Sequence, residues 1–136
     1  MSDNSPLKID HIGIAVEDIE SKKKLYAEVM GLEYKGEETI EDQGVRVAFF
    51  RIGETNIELL EPLGEDTPVG KFLQKRGEGI HHIALAVKGI EQVIDSYRSD
   101  GVRMIDEKPR IGAHGKRIAF LHPSATGGVL LEICEE

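Results

Sequence analysis

The sequence predicts an α+β fold of two tandem βαβββ modules, related by a pseudo-twofold and together forming a concave mixed sheet. Three observations predict it. First, His11-Ile12-Gly13-Ile14-Ala15-Val16-Glu17-Asp18-Ile19-Glu20 returns as His82-Ile83-Ala84-Leu85-Ala86-Val87-Lys88-Gly89-Ile90-Glu91, with six of ten positions identical at an offset of 71. Second, Arg46-Val47-Ala48-Phe49 falls on Arg117-Ile118-Ala119-Phe120 at that same offset. Third, Ile57-Glu58-Leu59-Leu60 falls on Leu131-Glu132-Ile133-Cys134 at an offset of 74, the extra residues fitting a turn between Ser124 and Gly128. So long a period, present twice, excludes a solenoid. Residues 1–136 are read as one domain, with module one at about 7–64, a linker at about 65–77 and module two at about 78–135.

The elements follow in order. Residues 8–16 alternate, placing Ile12, Ile14 and Val16 on one face of a strand and His11, Gly13 and Ala15 on the other. Asp18 suits the cap of a helix running to about Met30, and Gly31 suits its left-handed exit. In module two Ile90, Val93, Ile94 and Tyr97 mark one helical face, and Gly101 ends it. Three strands follow each helix, at 32–40, 45–52 and 56–61, and at 102–107, 117–122 and 129–134. Gly44, Gly53, Gly115 and the Gly127-Gly128 pair punctuate them. In the linker, Thr67-Pro68 opens a short helix to about Arg76.

Length and composition exclude several classes. A chain of 136 residues supports a single core and hides roughly two-thirds of its unfolded surface. Apolar residues make up 40% and charged residues 31%, the profile of a globular protein. There is no run of 18 apolar residues, so no membrane-spanning helix is expected. The polar start from Met1 to Pro6 lacks the features of a secretion signal, so a cytoplasmic location is expected. The single Cys134 excludes an internal disulfide and a zinc-finger framework. A net charge of −8 and 5% aromatic residues disfavour nucleic acid as a partner.

The repeat also selects candidate site residues. Each copy has a histidine in its first strand and a glutamate in its last: His11 with Glu58, and His82 with Glu132. Glu58 stands between Ile57 and Leu59, and Glu132 between Leu131 and Ile133. Those aliphatics belong against the helix, so all four polar side chains leave from the opposite sheet face. Taken singly, a strand histidine is usually a packed residue and a strand glutamate usually faces solvent. Four in register point instead to one divalent metal ion, and imidazole with carboxylate suits Co, Mn, Ni, Zn or Fe.

The chain resembles the methylmalonyl-CoA epimerases, within the vicinal oxygen chelate superfamily that includes glyoxalase I. The resemblance spans Ile9 to Glu132. It rests on Asp10-His11-Ile12-Gly13-Ile14-Ala15-Val16, Gly79-Ile80-His81-His82-Ile83-Ala84, Ile111-Gly112-Ala113-His114-Gly115-Lys116, and Leu121-His122-Pro123 leading to Gly127-Gly128-Val129-Leu130-Leu131-Glu132. It implies the glyoxalase-like fold and metal ligands at His11, Glu58, His82 and Glu132. It implies interconversion of (2R)- and (2S)-methylmalonyl-CoA by C2 proton abstraction through a metal-stabilised enolate. The partner so implied is a small-molecule CoA thioester, and a homodimer is expected.

Glu132 is the proton carrier that the resemblance implies on one face of C2. On the other face one branch of the family has a glutamate where this chain has Val47, which cannot move a proton. Glu58 by the pseudo-twofold, Glu41, Gln43 or a metal-bound water are the substitutes, and symmetry favours Glu58. Rival readings are a glyoxalase I-type lactoylglutathione lyase, a metal-dependent dioxygenase and a small-molecule-binding member of the superfamily. His81 is expected to pack on the opposite face from His82, and His122-Pro123 to end a strand. His114 and Lys116 lie in a glycine-flanked loop able to approach a ligand, and Lys116 and Arg117 are candidates for CoA phosphates. Lys22-Lys23-Lys24 reads as a solvated helix face, and Cys134 as a buried filler.

Overall fold

The computed structural model describes residues 4–136. The chain divides into two compact units. One is His11–His81; the other is His82–Glu136 together with the described residues up to Asp10.

In the first unit the order is β1 (Lys8–Ala15, from His11 onward), α1 (Glu20–Lys23), β2 (Glu33–Ile40), β3 (Val45–Ile52), β4 (Thr55–Pro62) and α2 (Pro68–Arg76). The strands lie side by side as β2-β3-β4-β1. β2, β3 and β4 form antiparallel hairpins, whereas β1 pairs with β4 in parallel. Parallel strands need a long crossover, and here the helix and two strands provide it. Ile14, Ile57, Leu59, Ala48 and Phe50 pack on one sheet face with Val16, Ile19, Tyr26 and Leu32.

The expected helix at 18–30 is present but not uniform. The Asp18 carboxylate accepts the Ser21 N–H at 3.1 Å. After one α-helical turn the chain widens into a π-helical segment, Lys24–Val29, where the Met30 N–H reaches back five residues to the Leu25 carbonyl at 2.8 Å. Gly31 leaves it at φ +75°, a left-handed exit that only glycine adopts without cost. Two of the three lysines are not simply solvated, while Lys24 is exposed as expected. Lys23 pairs with Glu20 and Glu37 and sits 5.0 Å from the Tyr34 ring centroid, and Lys22 pairs with Glu78 at 3.3 Å. Arg46 also binds Glu37, so one carboxylate ties α1, β2 and β3 together. The linker helix is α2, with Pro68 at its first position and the Thr67 hydroxyl accepting the Gly70 N–H at 3.0 Å.

In the second unit β5 (Gly79–Val87, from His82 onward) is followed by α3 (Ile90–Ser99), β6 (Arg110–Ile111), β7 (Arg117–Phe120) and β8 (Leu131–Glu135). These strands lie as β5-β8-β7-β6, with β5 and β8 parallel. The apolar side of α3 (Ile90, Val93 and Ile94) packs with Val87, Met104, Ala119, Leu121 and Ile133. The other sheet face carries Ala84, Ala86, Ile118, Phe120 and Cys134.

The strand expected at 102–107 is reduced to a single bridge, Met104 with Leu121. The Asp106 carboxylate takes the Phe120 N–H at 2.9 Å. A side chain thereby occupies a donor that a continuing ladder would need. Pairing resumes only at Arg110, as the two-residue β6. Among the described residues no helix is long and apolar enough to cross a membrane.

Candidate metal and proton-transfer site

Strand register decides which face each candidate residue occupies. In the first unit Ile14 is paired with Leu59 and both pack on the helical side. Glu58, one residue earlier, therefore projects from the opposite face, across from Gly13 on one side and Phe49 on the other. His11 lies two residues before Gly13 on that same face. Its Nδ1 is 3.3 Å from Glu58 Oε2, and the two residues are 6% and 5% exposed.

The second unit repeats this arrangement. Glu132 is paired with Ala84 on one side and Phe120 on the other. His82 Nε2 lies 3.3 Å from Glu132 Oε1, with exposures of 7% and 3%. The Phe120 ring meets the His82 ring edge-on at 5.6 Å, and the Arg110 guanidinium lies 5.4 Å from the Phe120 centroid while pairing with Asp106. Imidazole and carboxylate donors held together out of water are costly unless each is partnered. The donor set suits a divalent transition metal, since both ligand types belong to that group of ions.

The structure brings each expected His–Glu pair together within its own unit. Val47 is 1% exposed and lies on the Glu58 face, across from Leu60. Glu41 and Gln43 belong to the short 3-10 turn that leads into β3. Glu38, which the sequence reading passed over, is paired across the β2–β3 ladder with Val47 and shares its face. The signal was present in the alternation of β2, but the irregularity between Tyr34 and Glu37 interrupts the count.

His81 faces away from His82 and packs edge-on against Phe72 at 5.1 Å; burial pushes its pKa down. His122 caps the turn after β7, its Nδ1 accepting the Ser124 N–H at 3.0 Å. Cys134 is 1% exposed. Burial, followed by the nearby Asp10 and Glu132 carboxylates, pushes its thiol pKa well above the ordinary range. Arg117, the first residue of β7, is held by Glu91 at the start of α3 and by Glu135 on β8, at 3.0 and 2.9 Å. Sequence reasoning also missed that Lys116 Nζ meets Asp10 Oδ1 at 3.4 Å, across a separation of 106 residues.

The sequence matches the model of the Glyoxalase/Bleomycin resistance protein/Dioxygenase superfamily over residues 10–120. It is 40% identical to the ethylmalonyl-CoA/methylmalonyl-CoA epimerase of Cereibacter sphaeroides, over 93% of this chain and 96% of that one. It is 39% identical to the mitochondrial methylmalonyl-CoA epimerase of Bos taurus, over 93% of this chain and 73% of that one. The fold matches a Streptomyces coelicolor methylmalonyl-CoA epimerase variant, in complex with 2-nitronate-propionyl-CoA, with a TM-score of 0.93 and 41% identity, covering 97% of this chain and 96% of that one. The chain belongs to the Glyoxalase/Bleomycin resistance protein/Dioxygenase superfamily and, within it, to the methylmalonyl-CoA epimerase family.

Proposed function

We propose that this protein interconverts (2R)- and (2S)-methylmalonyl-CoA by removing the C2 proton from one face and delivering a proton to the opposite face. The observation that carries the reading is the duplicated pair of buried side chains, His11 with Glu58 and His82 with Glu132, at equivalent positions of the two repeated modules. It is supported by the family to which the chain belongs.

His11, Glu58, His82 and Glu132 are the residues that would hold a divalent ion, of the Co, Mn, Ni, Zn or Fe group. Such an ion, when bound, supplies Lewis-acid stabilisation for the negative charge that develops as C2 loses its proton. The rest falls to the chain's own groups. The Glu132 carboxylate takes the proton from C2 on one face and gives it back in the reverse direction. The Glu58 carboxyl, protonated when Glu132 accepts, delivers a proton to the other face, and the two exchange roles in the reverse direction. Both are carboxylates, so each is a competent acceptor when placed within hydrogen-bond reach of the carbon acid. Phe49 and Phe120, beside Glu58 and Glu132, exclude water from the carboxylates. No electrons are gained or lost, and the substrate and product differ only at C2.

The test is proton NMR of methylmalonyl-CoA in D2O with the metal-loaded protein. The expected result is deuterium at C2 together with equilibration of the two epimers. No exchange, with turnover of the methylglyoxal–glutathione hemithioacetal instead, would replace this reading with that of a lyase. A homodimer in the cytoplasm is part of the same reading. Sedimentation at twice the chain mass checks the first part.

A further inference from the structure

We propose that Asp106 and Arg110 are positioning residues for the His82–Glu132 donor pair, acting through the ring of Phe120. This rests on the metal-site reading and adds to it the side chains that hold one pair of donors still.

Phe120 lies beside both donors. It is paired with Glu132 across the β7–β8 ladder, and its ring meets the His82 ring edge-on, with centroids 5.6 Å apart and planes at 80°. Neighbours on one sheet face set each other's room to move. The orientations open to His82 and Glu132 therefore depend on where the Phe120 ring stands.

The segment before β6 fixes that ring. The Phe120 carbonyl accepts the Ile105 N–H at 2.9 Å, and the Phe120 N–H donates to Asp106 Oδ2 at 2.9 Å. The second carboxylate oxygen, Oδ1, lies 3.3 Å from Arg110 Nε, and the Arg110 guanidinium stands 5.4 Å from the Phe120 ring centroid. The contacts close on themselves: Asp106 holds the backbone of Phe120, and Arg110, held by Asp106, sits against its ring. The Asp106 side chain is only 15% exposed, so salt and water screen the pair less than they would one on the open surface.

The repeat shows what the fold itself requires. At the offset of 71, Asp106 and Arg110 correspond to Lys35 and Thr39. There the first unit builds an eight-residue strand, β2, against β3. Phe49, the counterpart of Phe120, is paired with Glu58 as Phe120 is with Glu132. A module thus reaches the His–Glu arrangement without an Asp–Arg pair. The second module has the pair and keeps only a two-residue β6. The pair is explained by what it holds, which is the ring against His82. Groups that orient a metal-binding histidine change metal affinity roughly 10- to 100-fold when removed.

The experiment is titration of the metal-free wild type and variants with Co(II), read by the visible absorption of the bound ion and by competition with a chelator. Urea unfolding of each metal-free protein runs alongside. Arg110→Gln is expected to weaken Co(II) binding about two- to fivefold, the range of a partly exposed cation–π contact, and to alter the visible bands. Arg110→Lys keeps a cation at the ring and is expected to recover much of the loss. Asp106→Asn keeps an acceptor for the Phe120 N–H but releases Arg110, so it should match Arg110→Gln. The double variant should be no worse than either, because both break one chain of contacts. Phe120→Leu removes the ring and is expected to cost about tenfold. Unchanged Co(II) affinity and bands in Arg110→Gln and Phe120→Leu, with a wild type that binds Co(II), would overturn the proposal and leave the metal site standing. A loss of urea stability with no change at the metal would make the pair a structural staple and would overturn it as well. A wild type that binds no Co(II) would overturn both.

Discussion

Glu58 lies directly across the β1–β4 ladder from Gly13, and Glu132 stands in the same relation to Ala84. In both units the neighbour of the buried carboxylate is one of the smallest residues. Cross-strand partners on one face have Cβ atoms only about 5 Å apart. A larger partner would fill the space beside the carboxylate. Ala84 is fully buried. Ala84→Leu is therefore expected to lower epimerisation by more than about tenfold and stability by about 1–3 kcal/mol. Denaturant unfolding beside the activity assay separates the two losses.

The histidines should fail differently from the glutamates. His82→Ala removes an imidazole donor and is expected to lose bound metal and activity together, as is His11→Ala. Glu58→Gln keeps a coordinating oxygen and should retain more metal than either. Elemental analysis of the purified variants measures this, and full occupancy in both histidine variants would remove the proposed site.

Proton transfer can be separated from metal retention. Glu132→Gln should damage turnover more than metal binding, because an amide accepts a proton poorly. Glu58→Gln should block epimerisation while one-sided exchange of the C2 proton with solvent continues. Normal epimerisation by Glu58→Gln would place the second carrier elsewhere, and Glu38 is then the next residue to change, since it faces the inert Val47 across the ladder.

Acid should loosen the first unit through Glu37. Burial opposes ionisation of this carboxyl, but hydrogen bonds from Lys23, Tyr34 and Arg46 outweigh it and hold the pKa at about 2, against an ordinary 4.5. The folded-state value is depressed, so the stabilisation is present above the ordinary value and is lost as pH falls from about 4.5 to about 2. Glu37→Gln is expected to cost about 1–3 kcal/mol at pH 7. Its deficit should shrink over that window and vanish near its lower end, as read by urea unfolding at a series of pH values.

Cys134 should be inert in the native protein. Its thiol is enclosed by Ala84, Ala86, Ile118 and Phe120, and its pKa is pushed up. Reagents need the thiolate. Labelling by an aromatic disulfide is expected only at the rate of unfolding, and rapid labelling of the native protein would contradict the burial described.

Much of this was legible because the chain repeats. The alignment of His11 with His82 and of Glu58 with Glu132 singled out four residues, and strand alternation placed each pair on the face of its own unit turned away from the helix. What alternation cannot show is a side chain that takes over a backbone partner. Asp106 does so at Phe120, which is why residues 102–107 do not form the expected strand. Nor can it show pairs far apart in sequence, such as Asp10 with Lys116. The widening of the first helix at Lys24–Val29 has no signal in its apolar spacing, and the widened segment still packs the partly buried Tyr26 and Ala27 against the core.

The parallel pairing of β1 with β4 and of β5 with β8 has a kinetic consequence. In each unit the strands bearing the histidine and the glutamate are the first and last of the module. His11 and Glu58 are expected to meet only after the intervening helix and two strands have found their places, and the same is expected of His82 and Glu132, because parallel β1–β4 and β5–β8 pairing spans the whole module. Closing loops of this length early is entropically costly, so such contacts form late and slow the folding rate. The donor pairs are then the last part of each module to assemble. Capture of a metal ion during refolding would time that final step, arriving after the helical signal has recovered and separating a collapsed chain from one whose modules have closed.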